Sequence, residues 1–168
     1  TIGGRSGPQM GGAEEFRIRI AGNAHHAGMP HLGGGVDATV VACEIVLALQ
    51  TVVSRRIDPL EGAVISIGTF HSGVRNNVIS GEAVLEGSMR YQSEAVRILI
   101  KEQMHNLSEG IAKAHGATAE VSFGQNIPPV INDDYVARVA FRAAEKVTGN
   151  PKKVVRLRGT MGAEDFGS

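Results

Sequence analysis

Two apolar periodicities alternate along this chain in a set order, and that order limits the folds open to it. At 16–20, Phe16, Ile18 and Ile20 alternate with Arg17 and Arg19, the period of a half-buried strand. Over 36–54 the spacing lengthens. Val41, Ile45, Ala48, Leu49 and Val52 recur on one helical face, and Asp37 suits the positive end of that helix dipole. Strand spacing returns at 63–70 and again at 81–91, where Ala83, Leu85, Gly87 and Met89 alternate with largely polar neighbours. Ser93 reads as the N-cap of a second helix with the stripe Val96, Ile100, Met104, Leu107 and Ile111, stopped at Gly116. A fourth strand follows at 118–123. The order βαββαβ predicts an α+β domain: a four-stranded, mostly antiparallel sheet with two helices on one face and the other face partly open.

Beyond Pro128 and Pro129, Asn132 reads as the cap of a third helix carrying Val136, Val139, Ala140, Ala143 and Val147, closed by Gly149 and Pro151. At 168 residues the chain is long enough for one domain, or for a smaller domain with pieces of another. The missing initiator Met and the ending on EDFGS lead us to expect a piece of something longer.

Composition excludes some function classes. The 17 basic and 17 acidic residues leave no basic footprint for a nucleic acid. Five Phe and two Tyr supply no aromatic platform for RNA on the sheet. The single Cys43 falls on what reads as an apolar helix face, so a buried, reduced thiol is expected. No apolar run reads as membrane-spanning, and TIGGRSGPQMGG lacks the apolar core of a secretion signal, so no membrane partner and a cytoplasmic location are expected.

The chemistry concentrates in GNAHHAGMPH at 22–31, directly after the first strand. A glycine-bracketed loop there can carry reactive imidazoles without disturbing a core. Taken alone, His26 is a loop histidine that caps the following helix. His25 and His31 invite a metal reading, but two adjacent histidines and one five residues on do not make a closed ligand shell, so no metal site is expected within the chain. His31 is expected to fix the loop by hydrogen bonding. Asn77 suits a turn, and Arg90 a solvated strand end with Glu86 as partner on its face. Glu14 and Glu15 read as a solvated hinge before the first strand.

Several segments carry a resemblance in matching order. GNAHHAGMPH is similar to the "GKGGHAAMPH" signature of the zinc amidohydrolases related to hippurate hydrolase, the N-acyl amino acid amidohydrolases and the indole-acetyl amino acid hydrolases; Gly22, His26, Ala27, Met29, Pro30 and His31 match. NNVIS at 76–80 resembles the family's "NVIP" turn with Ser80 in place of proline. LEGSMRY at 85–91 resembles its "GTVR" strand end, TMGAEDFGS at 160–168 its "MGGEDF" segment, and GPQMGGAEEF at 7–16 its entry to the lid domain.

The resemblance implies a connector from a catalytic domain at 1–15, a lid or dimerisation domain at 16–127, and at 128–168 the start of a return into the catalytic domain, whose helix is the third one. It implies that the full-length enzyme hydrolyses N-acyl amino acids or small peptides using two divalent ions, zinc or alternatively manganese, cobalt or nickel, held outside this chain. It further implies that His26 stabilises the oxyanion, that Asn77 and Arg90 clamp the substrate carboxylate, and that His31, Glu164 and Asp165 support the site without touching substrate. Its implied partners are a small-molecule substrate and a second copy. The rival reading is a stand-alone small-molecule-binding or dimerisation module without catalysis.

Overall fold

The computed structural model describes residues 1–167. In chain order the elements are β1 (Ile2–Gly4), β2 (Gly7–Met10), β3 (Gly12–Ala21), β4 (His25–His26), α1 (Ala38–Arg56), β5 (Ala63–Ser72), β6 (Val78–Ile79), β7 (Glu82–Tyr91), α2 (Glu94–Ala114), β8 (Thr118–Ile127), β9 (Val130–Asn132), α3 (Asp134–Thr148) and β10 (Val154–Arg156).

The alternation in β3 does what its period requires. Phe16, Ile18 and Ile20 are buried, while Arg17 and Arg19 face outward. β3 pairs with β7 on one side and β8 on the other, β5 adds beyond β7, and every pairing is antiparallel, giving the order β5-β7-β3-β8. α1 packs on β3, β5 and β7, and α2 on β7 and β8; the two helices also touch each other. The core lies between, with Ile18, Ile45, Leu49, Leu85, Met89, Ile100 and Met104 fully buried. Truncating any one of the Leu or Ile side chains to Ala removes about 2–5 kcal/mol. The opposite sheet face is polar and carries the cross-strand pairs Arg19–Glu82 at 2.8 Å and Arg17–Glu86 at 3.8 Å. The α+β layer expected from the periodicity is the one observed.

Local signals place the helix ends. Asp37 accepts the Thr39 amide at 2.9 Å at the start of α1, and Ser93 accepts that of Val96 at 3.3 Å at the start of α2. Gly116, at φ +75°, turns the chain out of α2 through a conformation other residues resist. The third helix starts differently from expectation. Asp133, not Asn132, caps α3 by accepting the Val136 amide, because Asn132 closes β9 and its side chain donates to the Arg5 carbonyl at 2.9 Å.

Three further expectations are corrected. Glu14 is no hinge: β3 begins at Gly12, so Glu14 falls on the helix-facing side of the strand and is only 2% exposed. Its carboxylate takes Arg97 Nε at 2.6 Å and Lys101 Nζ at 2.8 Å. Cys43 is exposed, since the buried stripe of α1 runs Val41, Ala42, Ile45, Leu49 and Val52, and Cys43 points away from it. α1 is also long and apolar enough, by length and composition, to cross a membrane. Its buried stripe seats on the sheet, and its outer face carries Val40 and Leu47, the latter 70% exposed.

The two ends of the chain come together. β1 pairs in parallel with β10, β2 pairs with β9, and α3 lies against β1 and β10. This layer joins the main sheet where Gly11 donates to the carbonyls of Thr160 and Gly162, beside Tyr91.

Candidate functional site

The histidine loop leaves β3 through a close backbone crossing. Gly22 donates to the Gly81 carbonyl at 2.9 Å, and a Cβ on Gly22 would stand 2.6 Å from the Val36 carbonyl oxygen. Only glycine fits there. Beyond it, β4 pairs with β6 so that His26 stands opposite Val78 and His25 opposite Ile79. Adjacent strand residues point to opposite sides, which sends His25 and His26 apart.

That pairing brings His26 beside Asn77. The Ala27 amide donates to the Asn77 carbonyl at 3.0 Å, and both side chains, of His26 and Asn77, are exposed. The Gly28 amide donates to His26 Nδ1 at 3.1 Å. A neutral imidazole whose Nδ1 accepts carries its proton on Nε2. His26 therefore offers an outward N–H donor of defined tautomer, the group needed to meet negative charge developing on an oxygen. Gly28 was not singled out from the sequence; a glycine two residues after a histidine, with no Cβ to block a turn back onto the ring, is the signal for it.

His31 stands on the short 3-10 turn Pro30–Gly33 and is exposed. It does not fix the loop as expected: among the described residues its ring has no hydrogen-bond partner. Backbone bonds close the loop instead, from Met29 to the His26 carbonyl and from Leu32 to the Met29 carbonyl.

Asn77 and Arg90 do not meet within one chain. Arg90 lies opposite Ala13 and Val64, near the far end of β7. From Glu82, at the histidine-loop end of that strand, to Arg90 is roughly 27 Å at the rise of an antiparallel strand. Arg90 instead shares its end of the sheet with the return segment, where Met10 bridges Thr160 and the chain continues to Glu164 and to Asp165 in the turn Asp165–Gly167. Glu86 pairs with Arg17 rather than with Arg90.

Near that end lies the charged cluster around Glu14. Burial pushes its carboxyl up, but the hydrogen bonds and charges of Arg97 and Lys101 outweigh burial and hold it below the ordinary glutamate value. Arg97 is raised in turn by its bond to Glu14. The cluster ties β3 to α2, with Lys101 Nζ also 4.1 Å above the centre of the Phe123 ring. It is a structural tie, and nothing in the local sequence marks it, because its partners lie 83 and 87 residues away.

Among the described residues no group of three or more His, Cys, Asp or Glu side chains comes together to hold a metal ion. The residues present do not fit such an ion by themselves. What they place together is the His26 loop and the adjoining Asn77 turn at one end of the sheet, with the Arg90 guanidinium at the other.

The model of the M20 peptidase dimerisation domain matches residues 10–116. The chain belongs to that family. Over 166 residues, 99% of this chain and 39% of the relative, the dimerisation-domain chain is 34% identical to an N-acetyl-L-cysteine deacetylase of Bacillus subtilis. It is 36% identical over 154 residues to an N-acyl-L-amino acid amidohydrolase of Geobacillus stearothermophilus, covering 92% of this chain and 39% of that one. Among solved structures, a dinuclear metal binding peptidase of the M20 family from Bacillus subtilis superposes with a TM-score of 0.77 at 29% identity, covering 97% of this chain and 38% of that one. The M20 chain thus spans about two fifths of the length of these relatives.

Proposed function

We propose that this chain is the lid and dimerisation part of a dinuclear metal-dependent amidohydrolase that cleaves the amide bond of N-acyl amino acids. Residues 1–15 and 128–168 are its junctions with the catalytic domain, and the whole is cytoplasmic. One observation carries the reading: His26 has its Nδ1 occupied by Gly28 and so presents Nε2–H outward beside Asn77. Support comes from relatives named for hydrolysis or deacetylation of N-acyl amino acids and from a structural relative named as dinuclear.

In this reading the metal ions, zinc or another divalent ion, are held by parts of the protein outside this chain. The chain acts on the substrate. His26 Nε2–H donates to the carbonyl oxygen as it gains charge, and the Asn77 amide orients the same group. Arg90 takes the amino acid carboxylate in its planar fork. Glu164 and Asp165, on the return segment, keep the Arg90 end in place.

The separation of Arg90 from His26 supports one way of combining these parts. The return segment docks at the Arg90 end, so a catalytic domain continuing from it sits near Arg90 and a sheet length from its own His26. A two-fold partner removes that gap. β5 is an edge strand with Val64 and Phe70 partly exposed, and α1 beside it turns Val40 and Leu47 outward. Pairing β5 with its own copy, helix α1 against helix α1, buries this apolar edge. It also carries the His26 loop of one copy toward the catalytic domain of the other.

The test is hydrolysis of N-benzoyl- and N-acetyl-amino acids by the intact enzyme. Turnover that falls sharply in His26→Ala supports the reading; absence of hydrolysis, or turnover indifferent to His26, overturns it.

A further inference from the structure

We propose that Ser80 is a positioning residue for His26 and Asn77, holding both loops through a chain of hydroxyls anchored at its own buried side chain; its effect on turnover rests on the amidohydrolase reading above. Ser80 stands where the resembling turn has proline, and its side chain is nearly buried. A proline there could make none of the side-chain bonds that follow.

The Ser80 hydroxyl donates to the Glu82 carbonyl at 2.6 Å. It accepts from the Gly73 amide at 3.0 Å and from the Ser72 hydroxyl at 2.9 Å. Ser72 in turn lies 2.8 Å from the Thr39 hydroxyl. The Ser72 hydroxyl also reaches the Glu82 carbonyl at 3.0 Å, and the Glu82 amide reaches the Ser80 hydroxyl at 3.3 Å, so both serines converge on the Glu82 backbone. A direction that uses one proton per hydroxyl runs Thr39 to Ser72 to Ser80 to the Glu82 carbonyl. Four segments meet in this chain: the first turn of α1, the end of β5, the exit of β6 and the start of β7.

Backbone bonds pass that order to the site. The Ser80 carbonyl accepts from Ala38, the Gly81 carbonyl from Gly22, and the Asn77 carbonyl from Ala27. Residues 73–77 hang between the Gly73 amide, clamped by Ser80, and β6, which Ser80 follows directly. Ser80 thus fixes both ends of the loop that presents Asn77, and through the Asn77 carbonyl it sets the register of the His26 loop. Chains of hydroxyls polarise one another, and an unpaired member in a buried site is costly, which suits such a chain to holding one geometry.

The experiment compares Ser80→Ala and Ser80→Thr in the intact enzyme, reading kcat and KM on N-benzoylglycine, the thermal midpoint, and amide exchange at Gly73 and Ala27. Ser80→Ala is expected to lose about 10- to 100-fold in kcat/KM, mostly in kcat, since small misplacements of reacting groups have effects of that size. Exchange at Gly73 and Ala27 quickens while the folded core stays protected, and Ser80→Thr, which keeps the hydroxyl, restores most of the activity. Ser72→Ala, which removes the middle link, gives the same pattern more weakly and serves should Ser80→Thr not fold. Unchanged kinetics and exchange in Ser80→Ala overturn the proposal, as does a lowered midpoint with intact kinetics. If the intact enzyme cleaves no N-acyl amino acid, the reading of function fails, and exchange at Gly73 and Ala27 still decides whether Ser80 holds the loops.

Discussion

The Gly28 amide donates to Nδ1 of His26 at 3.1 Å, and this one bond decides which face of the imidazole is free to work. With Nδ1 occupied, Nε2–H is the group left to donate, and in the proposed function it is the one that meets substrate. His26→Ala in the intact enzyme should lower kcat by about 100- to 1,000-fold with KM changed far less, the signature of a donor that acts on the transition state. Steady-state kinetics on a folded variant checks it. A raised KM with kcat unchanged would point to ordinary substrate binding.

Arg90 is assigned to the carboxylate, a contact made before and during reaction alike. Arg90→Lys keeps the charge but loses the fork, so KM should rise by roughly tenfold with kcat within a few-fold of wild type. A substrate amide lacking the carboxylate should be indifferent to the change. If it is equally affected, Arg90 does something else.

Glu14 contributes to stability with a defined pH sign. Its carboxyl is held below the ordinary value by Arg97 and Lys101, so its contribution is present above the unfolded carboxylate range and is lost as pH falls through the lowered folded value. Glu14→Ala leaves two cations facing a buried gap and should cost about 2–4 kcal/mol at pH 7. Denaturant unfolding of the 168-residue chain at pH 7 and at pH 3 tests both statements, because the difference between wild type and Glu14→Ala should shrink in acid. A difference that persists unchanged at pH 3 contradicts the electrostatic origin.

Much of the fold was legible because period and caps agree. The alternation of Phe16, Ile18 and Ile20 finds its core side, Asp37 and Ser93 cap the helices they precede, and Gly116 ends α2. What stayed hidden depends on distant partners. Glu14 reads as a hinge until Arg97 and Lys101 arrive from another element, and Cys43 reads as part of a core stripe because α1 is apolar on both faces. The site was half legible: residue types flagged His26, Asn77 and Arg90, but two-residue strands such as β4 and β6 leave no pattern. Neither the nearness of His26 to Asn77 nor the distance of both from Arg90 could be read before the chain was folded.

The proposed two-fold contact would tie assembly to activity through the outer face of α1. Leu47, at 70% exposure, lies on that face, and α1 itself packs on the edge strand β5. Leu47→Glu sets like charges against each other across a two-fold contact and should weaken self-association more than about tenfold. Sedimentation equilibrium measures it. The monomeric variant should also lose turnover, and a fully active monomer contradicts the shared site.

A site shared between two copies, with His26 from one and Arg90 from the other, has its decisive test in a purified mixed dimer of the intact enzyme, one protomer carrying His26→Ala and its partner Arg90→Ala. Each variant alone has both sites damaged. In the mixed dimer one site receives both lesions and the other receives neither, so kcat/KM, which both lesions lower, should return to about half that of wild type, as two-fold exchange of parts requires. A mixed dimer as inactive as its parents would mean that His26 and Arg90 serve the same copy's site, and the exchange between copies would be refuted.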